Sequence, residues 1–348
     1  EQIRSHFCML AVAGSFIGQS TPGYAYQMMQ RPMYREAKVA RKLKKVMLTP
    51  EFAAGTPRGG MGAITQAMLR SITASGAEVI TEARVAEIKC CSKGAEGVVL
   101  EDGRDLDARV VISAMNPVST LLNLVPQEAI DPDLRATLSQ LPMQGCMGKV
   151  YLALDSLPEY AASRSDEETQ LMHRCGFRAG PSVAKMDEAY HKALGGDWSG
   201  EPIIYGIVQT AIDDSLNHQG RHLMSLSVCY APYDLKGGSW DAQKDDWVHH
   251  TVDALTEHMP NLRNIIVDHG TLTPQNLEER YGLREAHALH GEVMTSRMFQ
   301  WRPFSGHSDY SSPIRGLYFC SNGTWPANYV TGLPGRNAGL KVLADLSC

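Results

Sequence analysis

A chain of 348 residues that is 43% hydrophobic and 20% charged has the composition of a globular protein and enough length for two domains. Its net charge of -5 at pH 7 argues against a general nucleic-acid binder, since such proteins are usually basic. The sequence contains no run of about 18 apolar residues, so it predicts no membrane-spanning helix. The apolar stretch at 7–17 lacks the basic segment of a signal peptide.

The cysteines and histidines indicate neither a disulfide framework nor a metal site. Eight cysteines are scattered without a C-x-x-C pair, and only Cys90 and Cys91 are close in sequence. A disulfide between neighbouring residues is strained, so we expect reduced thiols and an intracellular compartment. Histidines at 249–250 and 287–290 have no acidic or thiol partners at ligand spacing, and no metal site is predicted.

The first organised block begins with Arg-Gly-Gly-Met-Gly at 58–62. Apolar residues then recur every four positions, at Ile64, Met68 and Ile72, which predicts a helix. Gly76 follows the last periodic residue, as glycine often does after a final helical turn.

A small meander and a larger mixed region follow this helix. The meander combines short apolar runs with a hairpin signal at Asp102-Gly103, and its predicted strands lie at 79–81, 85–88, 98–100 and 110–112. Between about 121 and 303 the sequence predicts a second, antiparallel or mixed sheet with helices. Its predicted strands lie at 150–154, 203–208, 223–229 and 265–267. Its predicted helices lie at 245–259 and 274–281.

The C-terminal segment, 316–346, has the pattern of a strand, a glycine-containing loop and a helix. Pro334 suits the first helical turn, and Gly332 and Gly335 allow the backbone to pass close to a flat group. A helix start presents free N–H groups and a positive dipole end to an acceptor. From these features alone, two interpretations stay open: a site for an anionic or electron-rich ligand, or an ordinary closing helix.

Taken together, the blocks at 58–117 and 316–346 resemble the phytoene desaturase-like branch of the FAD-dependent amine-oxidase superfamily. Further matching stretches are Ser-Thr-Pro-Gly-Tyr-Ala-Tyr at 20–26, Leu-Thr-Pro at 272–274 and Arg-Pro at 302–303. The resemblance covers most of the chain.

This resemblance implies an α/β (α+β) fold with two domains. A partial FAD-binding, Rossmann-like domain is expected at 55–119 and 310–348. A mixed-sheet, substrate-covering domain is expected at 1–54 and 120–309.

The resemblance also implies which residues contact FAD. The Arg-Gly-Gly-Met-Gly turn borders the flavin domain, and the residue matching Val85 contacts the adenine through its backbone. The Gly-x-Pro-Gly-Arg-Asn helix start points at the pyrimidine edge of the flavin, where its dipole stabilises the reduced form. The cofactor-contacting positions implied are Gly59, Gly60, Met61, Val85, Gly323, Thr324, Gly332, Pro334, Gly335, Arg336 and Asn337. No general base is assigned.

One expected motif does not occur in the sequence. This superfamily carries a strand followed by G-x-G-x-x-G, which cradles the pyrophosphate, and the glycines at 59–62 have a different spacing. The chain therefore resembles the C-terminal part of the family. It is either a fragment or a form that has lost most FAD contacts. Relatives have a His-Pro-Gly-Gly-Gly-like run where this chain has Trp-Pro-Ala-Asn-Tyr at 325–329.

Two functions follow as hypotheses. The first is an FAD-dependent oxidoreductase, dehydrogenase- or desaturase-like, that removes hydride from an apolar or amine-type substrate. The second is a non-catalytic interaction protein that keeps the substrate domain as a scaffold. The resemblance is compatible with a mitochondrial or a cytoplasmic setting.

Two further segments have alternative interpretations. The basic run at 35–45 is either a membrane-surface or partner contact or a solvated insertion. In the stretch at 298–303, Trp301 or Arg302 either lines the substrate cavity or is packed inside the fold.

Overall fold

The computed structural model describes residues 2–12, 14–27, 56–326 and 331–347. Within them the strands, in chain order, are β1 (Val85–Cys91), β2 (Gly94–Leu100), β3 (Asp105–Asp107), β4 (Val111–Ser113), β5 (Met147–Leu154), β6 (Phe177–Ala179), β7 (Ile203–Val208), β8 (His222–Cys229), β9 (Ile266–Leu272) and β10 (Leu317–Phe319). The α-helices are α1 (Gln2–Val12), α2 (Gly62–Ala74), α3 (Pro117–Ser119), α4 (Pro132–Ser139), α5 (Asp166–His173), α6 (Val183–Leu194), α7 (Gln209–Ile212), α8 (Trp240–Thr256), α9 (Leu262–Ile265), α10 (Pro274–Tyr281) and α11 (Leu333–Ser347).

Two compact units make up the chain. Unit 1 consists of residues 1–13, 17–79 and 146–276, and unit 2 consists of residues 14–16, 80–145 and 277–348. Of the predicted partial FAD-binding domain, residues 80–119 and 310–348 lie in unit 2. The helix that follows the Arg-Gly-Gly-Met-Gly turn lies in unit 1.

Unit 1 is built on a five-stranded antiparallel sheet in the order β6-β7-β8-β5-β9. Side chains along β5 alternate between buried and half-buried, because successive residues of a strand point to opposite faces. Val150, Leu152 and Leu154 contribute to the hydrophobic core, whereas Lys149 and Tyr151 lie on the other face.

Helix α8 covers the apolar face of this sheet. It begins after Ser239, whose Oγ accepts a hydrogen bond from the N–H of Ala242 at 3.4 Å. Trp247 is 2% exposed and packs edge-on against Trp240. A Cβ on Gly148 would lie 2.7 Å from the Trp247 ring, so glycine in β5 makes room for this indole.

Unit 2 contains a meander and a parallel pair. Strands β1, β2 and β3 form an antiparallel sheet, and the turn between β2 and β3 contains Asp102-Gly103, as the sequence predicted. Gly103 has a φ of +86°, which explains the glycine there. Strand β4 pairs with β10 in parallel, although the two strands are about two hundred residues apart in the chain.

The mixed helix and sheet fold predicted from the sequence is confirmed. Two local predictions are wrong. No strand forms at 79–81: Val79 and Ile80 are 47% and 43% exposed, and they have no pairing partner within the described residues. The helix predicted at 245–259 instead begins at Trp240, where Ser239 caps it, and ends at Thr256.

Helices α2 and α11 each leave several apolar side chains exposed. In α2, Ile64, Met68 and Ile72 keep the predicted four-residue spacing, but no residue of this helix is buried. In α11, Ala338 and Val342 are buried, while outer leucines such as Leu343 are exposed. No helix in the described part of the chain is both long and apolar enough to cross a membrane. The basic run at 35–45 lies outside the described residues.

Candidate functional site

The candidate site in unit 2 lies at the carboxyl edge of the parallel pair. Leu317, Tyr318 and Phe319 of β10 stand opposite residues 111–113 of β4, and the N–H of Cys320 donates to the carbonyl of Ser113 at 2.9 Å. Ligands of open α/β sheets bind where parallel strands end, because the loops that follow converge there. The segment after β10, residues 320–326, is called the β10 loop below.

Contacts within unit 2 explain why glycine and threonine stand at two predicted cofactor positions of the β10 loop, Gly323 and Thr324. A Cβ on Gly323 would clash with the ring of Pro117, so glycine is required for packing. Thr324 is 1% exposed, and its hydroxyl and N–H both donate to the carbonyl of Ser321, at 2.8 and 3.0 Å. These two residues shape the loop, and their contact with a cofactor stays a prediction.

Arg302 fastens the β10 loop to an upstream segment. Its side chain is 3% exposed and donates to four carbonyl oxygens, those of Leu289, Gly291, Glu292 and Asn322. The bond to Asn322 is 2.9 Å long and the bond to Glu292 is 3.0 Å long. A guanidinium whose N–H groups are bonded to four backbone carbonyls holds these segments together. Of the two interpretations of the 298–303 stretch, this agrees with the one in which Arg302 is packed inside the fold.

Tyr310 connects the β10 loop to the start of α11. Its hydroxyl donates to the carbonyl of Trp325 and accepts from the side-chain amide of Asn337 at 2.7 Å. The Trp325 ring packs against Phe299 with a centroid separation of 4.6 Å. The Asn337 side chain, predicted to contact FAD, therefore serves in the first place to hold this junction.

The first turn of α11 is the exposed part of the site. Gly332 has a φ of +68°, and among the described residues no atom outside the local backbone lies within 4 Å of the position that a Cβ on Gly332 or Gly335 would take. Pro334 occupies the first turn, as predicted, and the side-chain hydroxyl of Thr331 accepts the N–H of Leu333 at 3.2 Å. Among the described residues the helix start is thus open beside Gly332 and Gly335, with Arg336 exposed next to it.

The other predicted cofactor residues lie elsewhere in the chain. Gly59 and Gly60 form a turn in unit 1 with positive φ angles, and the N–H of Gly59 donates to Asp213 Oδ2 at 2.6 Å. Met61 is 52% exposed. Val85 is the half-buried first residue of β1 in unit 2. Of the predicted set, Val85 and the residues of the β10 loop and of α11 share unit 2, and the Tyr310 hydroxyl connects the β10 loop to Asn337 of α11.

Two buried histidines precede the Arg302 clamp. The Nδ1 of His287 accepts the N–H of Leu289 at 3.2 Å, so the ring proton is placed on Nε2. Burial, together with the smaller effect of the nearby Arg302 guanidinium, lowers the pKa of His287 to about 3 and that of His290 to about 4. Both rings are therefore neutral at pH 7.

These pKa shifts predict a loss of stability in mild acid. An unfolded histidine binds a proton near pH 6.5, whereas the folded protein binds one only near pH 3 to 4. Between about pH 4 and pH 6.5 the unfolded state therefore binds more protons than the folded state. The stability that the two neutral histidines provide is complete above pH 6.5 and is lost as the pH falls towards 4. In His287→Asn, whose Oδ1 can accept the Leu289 N–H, we expect a smaller loss. Urea midpoints at pH 7 and pH 5 measure it.

His249→Asn, a substitution at an exposed histidine, is the matched control. It is expected to keep the wild-type difference between the two pH values. Equal losses in wild type and His287→Asn would show that His287 is not a source of the acid sensitivity.

Lys149 was not predicted as a functional residue, yet its charged side chain lies inside the fold of unit 1. It lies half-buried on β5, its Nζ donates to Ser227 Oγ at 3.0 Å, and it stands 5.5 Å from the centroid of the Tyr151 ring. Burial lowers its pKa. A lysine held in this way is a candidate functional residue. Sequence reasoning could have found it as the lysine that directly precedes the apolar run at 150–154.

Replacing Lys149 with methionine is expected to raise the free energy of unfolding by about 0.5–1 kcal/mol, because it removes the cost of holding an ammonium group away from water. Urea unfolding at pH 7 measures the change. Lys93→Met, at an exposed position, is expected to leave stability unchanged. A destabilised Lys149→Met protein would mean that the bond to Ser227 outweighs the desolvation of the charge.

Metal chemistry finds no support in the described ranges, where no three histidine, cysteine, aspartate or glutamate side chains are grouped as ligands. The seven cysteines in those ranges are free thiols.

Comparison with known proteins agrees with the resemblance seen in the sequence. The profile of the family "Flavin containing amine oxidoreductase" matches residues 14–180. The pyridine nucleotide-disulfide oxidoreductase domain-containing protein 2 of Rattus norvegicus is 33% identical, over 99% of this chain and 59% of its own length. The lycopene-forming phytoene desaturase of Pantoea ananas is 25% identical, over 86% of this chain and 57% of its own length.

The fold has a counterpart among solved structures. An oxidoreductase from Methanosarcina mazei superimposes with a TM-score of 0.55 at 15% identity, over 97% of this chain and 64% of that one. This likeness shows a shared fold. The chain spans less than two thirds of the length of these relatives.

Proposed function

Because this chain belongs to the amine-oxidase superfamily of flavin-dependent oxidoreductases, we propose that it forms the C-terminal part of an FAD-dependent oxidoreductase. The observation that carries the proposal is the open first turn of α11, held beside the β10 loop at the carboxyl edge of the β4–β10 pair. Parallel-strand ends with a helix start are the usual place for an anionic or electron-rich cofactor.

The residues present fit a flavin at this point. The open space beside Gly332 and Gly335 is what a Cβ would fill, so the backbone can approach a flat ring. The α11 dipole would stabilise negative charge there. A bound flavin would supply hydride acceptance. The protein's own contribution is orientation: Tyr310 and Arg302 fix the β10 loop before any ligand arrives.

We propose that the pyrophosphate-binding part of the complete protein comes from a segment beyond this sequence. The sequence has no G-x-G-x-x-G motif, and the parallel pair leaves Ile112 of β4 44% exposed. Parallel sheets are normally covered on both faces. Helices of the whole protein that pack on this face of the sheet would cover Ile112.

The substrate is proposed to be apolar or an amine. A likeness to a phytoene desaturase supports an apolar compound, and the family profile supports an amine. On unit 1, Lys149 with Ser227 and Tyr151 is the group that we propose faces the substrate. Contact of the 35–45 run with a membrane surface or a partner, and a mitochondrial or cytoplasmic location, remain proposals on sequence grounds.

The decisive experiment is to purify the complete protein that contains this chain and to record its visible absorption spectrum. We expect the bands of oxidised flavin, and FAD on release by denaturation. Gly335→Glu places a carboxylate at the open turn and is expected to lower flavin content. Gly339→Glu, one turn later in α11, should not lower it. A colourless, FAD-indifferent protein would contradict the proposal.

A non-catalytic scaffold is the second candidate. On sequence grounds the Trp-Pro-Ala-Asn-Tyr stretch at 325–329 favours it, because it lacks the glycines that would allow close backbone approach to a cofactor. A folded, flavin-free complete protein that retains binding partners would support this candidate over the enzyme.

A further inference from the structure

We propose that unit 1 has a binding site for a small, neutral, apolar compound that carries one hydrogen-bond acceptor. The site is a cavity of about 320 Å³ between the loop at 155–163, the edge strand β6 and the end of α8. A volume near 300 Å³ is at the lower end of the range for small-molecule sites.

The wall of this cavity is apolar and rigidly placed. Met172, Phe177, Leu255 and Met259 are its large apolar lining residues. Leu255 and Met259 are also members of the core of unit 1, and Phe177 packs against that core. A Cβ on Gly206 would clash with the Phe177 ring, so the glycine of β7 makes room for this ring. The wall is therefore formed before a ligand binds.

One polar group of this wall lacks a partner. The hydroxyl oxygen of Tyr160 is buried and has no hydrogen-bond partner among the described residues. Leaving a buried hydroxyl unpaired costs about 1–3 kcal/mol, so an acceptor on a bound molecule would be favoured at this point. Burial raises the pKa of Tyr160 to about 12, which keeps the hydroxyl protonated and able to donate.

The position of Tyr160 is fixed by its neighbours. The N–H of Ala161 donates to the carbonyl of His258 at 3.0 Å. The rings of Tyr160 and His173 lie 5.4 Å apart, and His173 Nε2 is 2.8 Å from the carbonyl oxygen of Pro158. These contacts hold the backbone beside Tyr160 and one side of its ring.

The charge on the cavity wall is engaged elsewhere, which favours a neutral ligand. Arg178 lines the cavity, but its guanidinium lies over the Tyr205 ring at 6.0 Å and contacts His6 Nε2 at 3.3 Å. An apolar body with a carbonyl oxygen therefore matches the cavity best.

Acetophenone and ethylbenzene, which have similar shapes and differ in the acceptor oxygen, test the proposal by calorimetry on the whole chain. We expect acetophenone to bind about 5- to 10-fold more tightly, as one net hydrogen bond allows. In Tyr160→Phe the two compounds should bind equally, and retained ethylbenzene binding shows that the variant is folded. If water alone pairs with the Tyr160 hydroxyl, the two compounds bind the wild-type protein equally, and that result would overturn the proposal. Failure of both compounds to bind would overturn it as well.

A second measurement locates the site. Cys175 is exposed at the rim, and acetophenone is expected to slow its labelling by a thiol reagent, followed by peptide mass spectrometry. The exposed Cys91 of β1 is the internal control and should label at an unchanged rate. Ala162→Trp, at an exposed rim position, should abolish both binding and protection. Acetophenone binding without protection of Cys175 would place the compound elsewhere and refute the site.

Discussion

Replacing Arg302 with methionine is expected to lower the free energy of unfolding by about 3–5 kcal/mol. The guanidinium is 3% exposed and satisfies the carbonyl oxygens of Leu289, Gly291, Glu292 and Asn322. Methionine fills similar space without donating to any of them, so several buried acceptors would lose their partner at once. Urea unfolding followed by circular dichroism measures the change.

Two variants give this prediction its controls. Arg302→Lys should remain strongly destabilised, because a single ammonium cannot reach the acceptors that a planar guanidinium spans. Arg109→Met, at an exposed position of the same unit, should change stability by less than about 0.5 kcal/mol. If Arg302→Met were as stable as Arg109→Met, Arg302 would not be the clamp of the β10 loop.

Replacing Tyr310 with phenylalanine is expected to lower the flavin affinity of the complete protein about 10-fold, with a loss of about 1–2 kcal/mol in stability. The ring and its packing remain, but the bonds to the Trp325 carbonyl and the Asn337 amide are lost. The β10 loop and the first turn of α11 would then have to be ordered on binding. Flavin titration and urea unfolding measure the two effects.

Measuring flavin affinity and the free energy of unfolding separately distinguishes ordering of the β10 loop from a general loss of stability. Asn337→Ala removes one of the two bonds and should give a smaller loss of affinity. Tyr281→Phe, at a tyrosine that is 61% exposed, should change neither quantity. Unchanged flavin affinity in Tyr310→Phe, with stability lowered, would show that the junction is structural and does not order a cofactor site.

Local patterns in the sequence predicted the elements that depend on neighbouring residues. The strand predicted at 150–154 and the Asp-Gly turn at 102–103 correspond to observed elements. At 79–81 local pattern failed, because apolar residues alone do not make a strand when no partner strand pairs with them.

Some residues of the candidate site could likewise be recognised from local sequence, whereas others depend on distant parts of the chain. Gly332, Pro334 and Gly335 could be recognised in the sequence because a helix start has a local signature. Gly323, by contrast, has no local signature for its role, which depends on Pro117, about two hundred residues earlier. The Lys149–Ser227 bond likewise joins two strands whose pairing the sequence does not display.

By itself, then, the sequence determined the strand–loop–helix pattern of the C-terminal segment and its resemblance to flavin-dependent oxidoreductases. Only the tertiary structure decided which glycines face open space and which are packed, and that Arg302 and Asn337 are committed to internal hydrogen bonds. The physical reason is that propensities and caps act over a few residues. Burial, clamping and pKa shifts, in contrast, arise from groups that meet only when distant parts of the chain pack together.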